Sequence, residues 1–75
     1  MKLPILSGKE LINFLSKKGF VICRQKGSHI ILKKRTINSV LITVVPLHEK
    51  LDVGTLISIM KQTQITREEI ESEFC

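Results

Sequence analysis

Two histidines, His29 and His48, are the only side chains in this sequence that titrate near neutral pH without help from their surroundings. His29 follows Gly27 and Ser28, where a turn is expected. A glycine allows close approach of a ligand to the backbone, and such a turn can present backbone N–H groups to a phosphate. His29 is therefore the first candidate for chemistry on a phosphate-containing substrate.

The chemistry that fits this histidine is cleavage of an RNA phosphodiester bond. RNA supplies its own nucleophile, the 2′-hydroxyl, so the protein needs a base for the hydroxyl proton and positive charge for the phosphorane. Neutral imidazole is a suitable base because its ordinary pKa is about 6.5. Lys26 and Lys33 are near enough in sequence to supply charge, and no metal ion is required. Spacing alone favours the plainer interpretation, in which His29 merely begins a strand on a solvent-exposed face.

His48 lies in the segment Pro46-Leu47-His48-Glu49, just after a predicted strand. It is a candidate for a second acid or for a phosphate contact. The plainer interpretation is a loop histidine that is hydrogen-bonded to the backbone, and spacing alone favours it.

Other kinds of site have less support. Cys23, His29 and His48 are too mixed and too irregularly spaced for a metal site, and the glycines form no phosphate-binding loop. Cys23 and Cys75 predict no disulfide framework. Because Cys23 lies in an apolar run, we interpret it as a small buried hydrophobic residue. The sequence therefore predicts neither a metal nor a cofactor.

The charge is unevenly distributed. All twelve Lys and Arg residues lie in residues 1–67, and four of the seven acidic residues lie in the last eight. A basic body predicts a polyanionic partner, although simple solubility also explains it. The run Lys33-Lys34-Arg35 has two interpretations: it is a solvated edge of the protein, or it follows the backbone of a bound RNA. Tyr and Trp are absent, which argues against a base-stacking surface for single-stranded RNA.

Hydrophobic periodicity, caps and turns predict the elements that position these residues. Capping boxes are predicted at Ser7/Glu10 and Thr66/Glu69, and Asp52 is a predicted N-cap. The elements are a helix over 8–18, strands over 20–25, 28–35 and 40–45, a helix over 53–63 and a short helix over 67–73.

Alternation along the second predicted strand separates two faces. One face holds Ile30, Leu32 and Lys34; the other holds His29, Ile31, Lys33 and Arg35. If the apolar pair faces the helices, His29 faces solvent among basic groups. The order α-β-β-β-α with a short C-terminal helix predicts one α+β domain over 1–75. Its simplest packing is a three-stranded antiparallel sheet with two helices on one face, as in double-stranded-RNA-binding domains.

Several short motifs lie along the chain in this order: Gly19-Phe20, Arg24-Gln25-Lys26-Gly27-Ser28-His29, Val45-Pro46-Leu47-His48, Lys50, Gly54-Thr55-Leu56, Ile59 and Lys61-Gln62. In this order and at these spacings, the chain resembles the HicA family of messenger-RNA interferase toxins. The resemblance extends from Ser7 to about Ile70.

The resemblance implies a double-stranded-RNA-binding-like fold with one functional histidine, which corresponds to His29. It also implies metal-independent cleavage of messenger RNA and a HicB-type antitoxin partner. The family's Pro-x-His element matches Pro46 and His48, but the resemblance implies no settled catalytic role for this element. Leu47 stands where Arg or an aromatic residue is commoner, and Thr36 to Ser39 replace the usual Asp-Gly turn.

Three functional hypotheses follow. The first is a cytoplasmic endoribonuclease toxin with catalytic His29. In this hypothesis RNA contacts Lys26, Gly27, Ser28, Lys33, Arg35 and His48. The second is a non-catalytic RNA-binding domain that uses the same sheet and basic groups. The third is a module that binds only a protein partner. No membrane association is expected, because no segment is long and apolar enough for a signal peptide or a span.

Overall fold

The computed structural model describes residues 3–75, which form six elements in the order α-β-β-β-α-α. The elements are α1 (Gly8–Lys17), β1 (Val21–Lys26), β2 (His29–Arg35), β3 (Val40–Pro46), α2 (Val53–Thr63) and α3 (Arg67–Phe74). Each begins and ends within one residue of its predicted bounds. The α+β fold with a three-stranded antiparallel sheet is therefore confirmed.

The helices begin where side chains satisfy their first backbone amides. At α1, the Ser7 hydroxyl accepts from the Glu10 amide and the Glu10 carboxylate accepts from the Ser7 amide, each at 3.0 Å. Thr66 and Glu69 repeat this capping box at α3. Asp52 does occupy the N-cap of α2 in an extended conformation, but its side chain makes no capping hydrogen bond.

The sheet has the order β1-β2-β3, so β2 is the central strand. Helices α1 and α2 both contact β3, and the face beneath them holds the buried side chains of Ile30, Leu32 and Val45. Thr43 is also buried there, and its hydroxyl donates a 2.7 Å hydrogen bond to the Gln62 side-chain oxygen. That bond satisfies a polar group in the core and fastens α2 to the sheet.

Strand β1 departs from the expected burial. All six of its residues are exposed, and a β-bulge shifts the register between Ile22 and Arg24. The prediction that Cys23 is buried is therefore wrong: Cys23 is exposed and its thiol is free. The reason is that β1 is an edge strand beyond the cover of the two helices, and the bulge leaves Cys23 without a cross-strand partner.

Helix α3 carries the acidic partners of two lysines at the C-terminal end of α1. Lys17 and Lys18 form salt bridges with Glu73 and Glu69, at 3.0 and 3.1 Å. The Phe14 ring lies 5.5 Å from the Phe74 ring, centroid to centroid, between the same two helices. Within residues 3–75, no helix is both long and apolar enough to cross a membrane.

Candidate functional site

A tight hairpin positions the candidate histidine. Lys26 ends β1 and His29 begins β2, so Gly27 and Ser28 alone form the turn. Gly27 has φ +60° whereas Ser28 has no positive φ, as in a type II′ hairpin turn. The Gln25 side-chain amide donates to the Gly27 carbonyl oxygen at 3.1 Å, and the Leu47 amide donates to the Ser28 carbonyl oxygen at 2.7 Å. Hydrogen bonds from β1 and from the residue after β3 thus stabilise the turn.

His29 lies on the solvent-exposed face of the sheet, as alternation predicts. It is exposed, whereas its strand neighbours Ile30 and Leu32 are buried. Its cross-strand partners are Lys26 on β1 and Pro46 on β3. Directly opposed residues on an antiparallel pair have Cβ atoms about 4.5–5.5 Å apart, so the side chains of Lys26 and His29 leave the sheet next to each other.

The second nearby cation is Arg24, and sequence reasoning did not place it at the site. Arg24 pairs with Ile31, two residues along β2 from His29, so it is a diagonal neighbour on the same face. Diagonal neighbours lie about 7–8 Å apart. Alternation along β1 from Lys26 contained this signal.

Lys33 and Arg35 share the face of His29 but do not join its immediate surroundings. They lie four and six residues along β2, which corresponds to about 13 and 20 Å at 3.3 Å per residue. Lys33 therefore lies farther from His29 than Lys26 and Arg24 do, because an extended strand separates its residues by nearly the full chain length. That Lys33 supplies charge to the substrate stays a prediction.

His48 follows β3 in an exposed loop near the hairpin. Its carbonyl oxygen accepts a 2.8 Å hydrogen bond from the Gly8 amide at the start of α1. Its position two residues after Pro46, the partner of His29, brings both histidines to one end of the sheet. Across residues 3–75, no described group hydrogen-bonds to either imidazole, so both rings are open to a ligand.

Within residues 3–75, the cations on this face have no acidic partner. The two salt bridges above involve α1 and α3, and Arg24, Lys26, Lys33 and Arg35 form none with any described residue. In the same part of the chain, no three His, Cys, Asp or Glu side chains are grouped as metal ligands would be. The site can therefore offer imidazole and positive charge to an anion.

An apolar stripe runs beside the cations on the same face. Val40, Ile42 and Val44 alternate along β3 and are 47%, 51% and 42% exposed. Ile31, the β2 partner of Val44, continues the stripe towards His29 and is half-buried. Contiguous exposed apolar residues of this kind are typical of a protein–protein contact.

Comparison with known proteins identifies one family. The family model described as the HicA toxin of bacterial toxin-antitoxin matches residues 8–65 of the 75-residue chain. The matched range runs from the start of α1 to just beyond α2 and includes the hairpin, both histidines and the exposed face of the sheet. No curated protein sequence matches the chain.

Proposed function

The chain belongs to the HicA toxin family of bacterial toxin–antitoxin systems, and from this premise we propose that it is an endoribonuclease that cleaves messenger RNA in the cytoplasm. His29 is the proposed catalytic residue. The observation that carries the proposal is the position of His29: an exposed imidazole at a fixed hairpin, directly across from Lys26.

In the proposed reaction, His29 accepts the proton of an RNA 2′-hydroxyl as that oxygen forms a bond to the adjacent phosphorus. The bond from phosphorus to the 5′-oxygen breaks, and the departing oxygen takes a proton from solvent. The products are one RNA end with a 2′,3′-cyclic phosphate and one with a 5′-hydroxyl. The reaction needs no metal ion, because the nucleophile belongs to the substrate and cations stabilise the phosphorane.

Lys26 and Arg24 are the cations proposed to stabilise that phosphorane, since they are the direct and diagonal neighbours of His29. The space that a side chain would occupy at Gly27 is empty to 4 Å. RNA can therefore approach the backbone of Gly27 and Ser28 closely. His48 is proposed to contact a flanking phosphate, and Lys33 and Arg35 to contact the strand farther along β2.

The proposed protein partner is a HicB-type antitoxin. The stripe of Val40, Ile42 and Val44 gives that partner an apolar contact surface, because it faces away from the helices and adjoins the cations. A partner with apolar and acidic side chains would match both components of this face. Its contact would block RNA by covering the same side of the sheet.

End-group analysis of cleaved RNA tests the proposed reaction. Purified protein is incubated with RNA in EDTA, beside a matched RNA in which every 2′-hydroxyl is methylated. Cleavage of the unmodified RNA alone, with 2′,3′-cyclic phosphate and 5′-hydroxyl ends, is expected. Products with 5′-phosphate ends, or equal cleavage of the methylated RNA, would contradict the mechanism. RNA that binds and stays intact would favour the non-catalytic RNA-binding domain.

A further inference from the structure

At one corner of the sheet, β1 does not extend as far as β2, and this leaves a pocket far from the hairpin. Val21, the first residue of β1, pairs with Lys33, so Lys34 and Arg35 have partners on β3 only. The preceding chain turns away towards α1 at Gly19, whose φ is +97°. The resulting open pocket has a volume of about 390 Å³ and is lined by Gly19, Val21, Cys23, Lys33, Lys34 and Arg35.

Three consecutive cations line this corner pocket, and the described part of the chain provides no acidic partner for them. The Lys34 ammonium lies 5.8 Å from the centroid of the Phe20 ring, which holds that side chain against the core. The acidic residues of α3 that form salt bridges do so with Lys17 and Lys18. The charge of the corner pocket is thus available to an anion from outside.

The rest of the lining is apolar. Val21 is 65% exposed, and Cys23 projects from the bulge as an exposed thiol. A pocket that combines cations with an apolar surface suits a ligand with an anionic group and a flat, weakly polar body. A nucleotide has this combination in its phosphate and base, and the pocket volume lies within the range of small-ligand sites.

The location connects the corner pocket to the candidate active site. Arg35 and His29 are at opposite ends of β2 on the same face, about 20 Å apart at 3.3 Å per residue. An extended RNA strand of several nucleotides spans that distance. We propose that the corner pocket binds one nucleotide of the RNA strand, several nucleotides away from the bond at His29. This inference rests on the proposed function, because it concerns the same RNA.

The chemical reactivity of the Cys23 thiol reports whether the corner pocket is occupied, and the Cys75 thiol provides an internal control. Both thiols are free and exposed, but Cys75 follows α3 and does not line the pocket. The rate of N-ethylmaleimide addition to each thiol is measured by mass spectrometry, with and without a 2′-O-methylated RNA of about ten nucleotides, a length within single-strand site sizes. At a concentration about ten times Kd, the RNA should slow the reaction at Cys23 roughly tenfold and leave Cys75 unchanged.

A mononucleotide arm distinguishes a strand from a free nucleotide. The expected result is that a mononucleotide at the same concentration protects Cys23 far less than the RNA, because it lacks the contacts near His29. Equal protection by both would overturn the proposal in favour of a free-nucleotide site. Bound RNA with no protection of Cys23 would also overturn it.

A charge variant gives an independent readout. Lys34→Gln should weaken binding of the longer RNA and lower the slope of log K against log salt by about 0.7, the value for one phosphate contact on a single strand. Lys61→Gln, on the exposed side of α2, should change neither. The two proposals can fail separately. If unmodified RNA stays uncut but the 2′-O-methylated RNA protects Cys23, the ribonuclease proposal fails and the corner-pocket proposal is supported. If unmodified RNA is cleaved but the 2′-O-methylated RNA leaves Cys23 unprotected, the corner-pocket proposal is overturned.

Discussion

The Gly8 amide donates a 2.8 Å hydrogen bond to the His48 carbonyl oxygen and so joins the first residue of α1 to the loop after β3. A Cβ atom at Gly8 would overlap the carbonyl oxygen of Pro46. Pro46 is in turn the cross-strand partner of His29. The start of α1 therefore supports the end of the sheet where both histidines lie, and it can do so only with a glycine.

The first prediction concerns this close approach. Gly8→Ala should lower the free energy of unfolding by about 1–3 kcal/mol, the usual cost of overpacking, because the contacted atoms belong to the backbone. Chemical denaturation measures the effect. Gly54→Ala is the matched control in α2, where the added methyl meets no atom within 4 Å; it should be neutral or stabilise the protein by about 0.4–1 kcal/mol. Equal effects of the two variants would contradict the account.

The second prediction concerns the antitoxin surface. Ile42→Asp should weaken antitoxin binding at least tenfold, because it places a carboxylate in the middle of the apolar stripe, equivalent to about 1.4 kcal/mol. Ile37→Asp is the control, since Ile37 is fully exposed in the turn between β2 and β3 and lies outside the stripe. Calorimetric titration of each variant with the antitoxin measures both. A partner that binds the two variants equally well must contact another surface.

The third prediction concerns pH. The backbone amide of Thr66 donates to the Glu69 carboxylate at 3.1 Å and, together with Lys18, holds the pKa of that carboxyl below its ordinary value of 4.5. A lowered pKa in the folded state means that this stabilisation is present above pH 4.5 and is lost as the pH falls through the folded-state pKa. Glu69→Gln should therefore lower Tm at neutral pH, and the difference from wild type should shrink in acid. A difference in Tm that does not vary with pH would contradict this origin.

Local signals in the sequence predicted the elements and the face of His29. The two capping boxes, the turn at Gly27 and the alternation from Ile30 to Arg35 each depend on residues close together in the chain. Local chemistry fixes helix ends, turns and strand faces, so these predictions are confirmed by the structure.

The features that sequence reasoning missed depend on contacts between distant segments. The bulge at Cys23 arises from the register of β1 against β2, and the tight packing of Gly8 arises from its approach to Pro46. Alternation along β1 already puts Arg24 on the face of Lys26, but its place two residues along β2 from His29 follows from the same register. Neither composition nor periodicity contains a register between strands, so exposed Cys23 and the corner pocket beside it required the structure.

The most direct test of the central claim compares RNA cleavage by wild type and by His29→Ala in EDTA. Circular dichroism establishes that both are folded, and Lys61→Gln, on the exposed side of α2, serves as the control variant. We predict cleavage by wild type and a loss of about 10²–10⁴-fold in His29→Ala, the usual contribution of a general base. Equal cleavage by wild type and a folded His29→Ala would contradict the assignment of His29 as the catalytic residue.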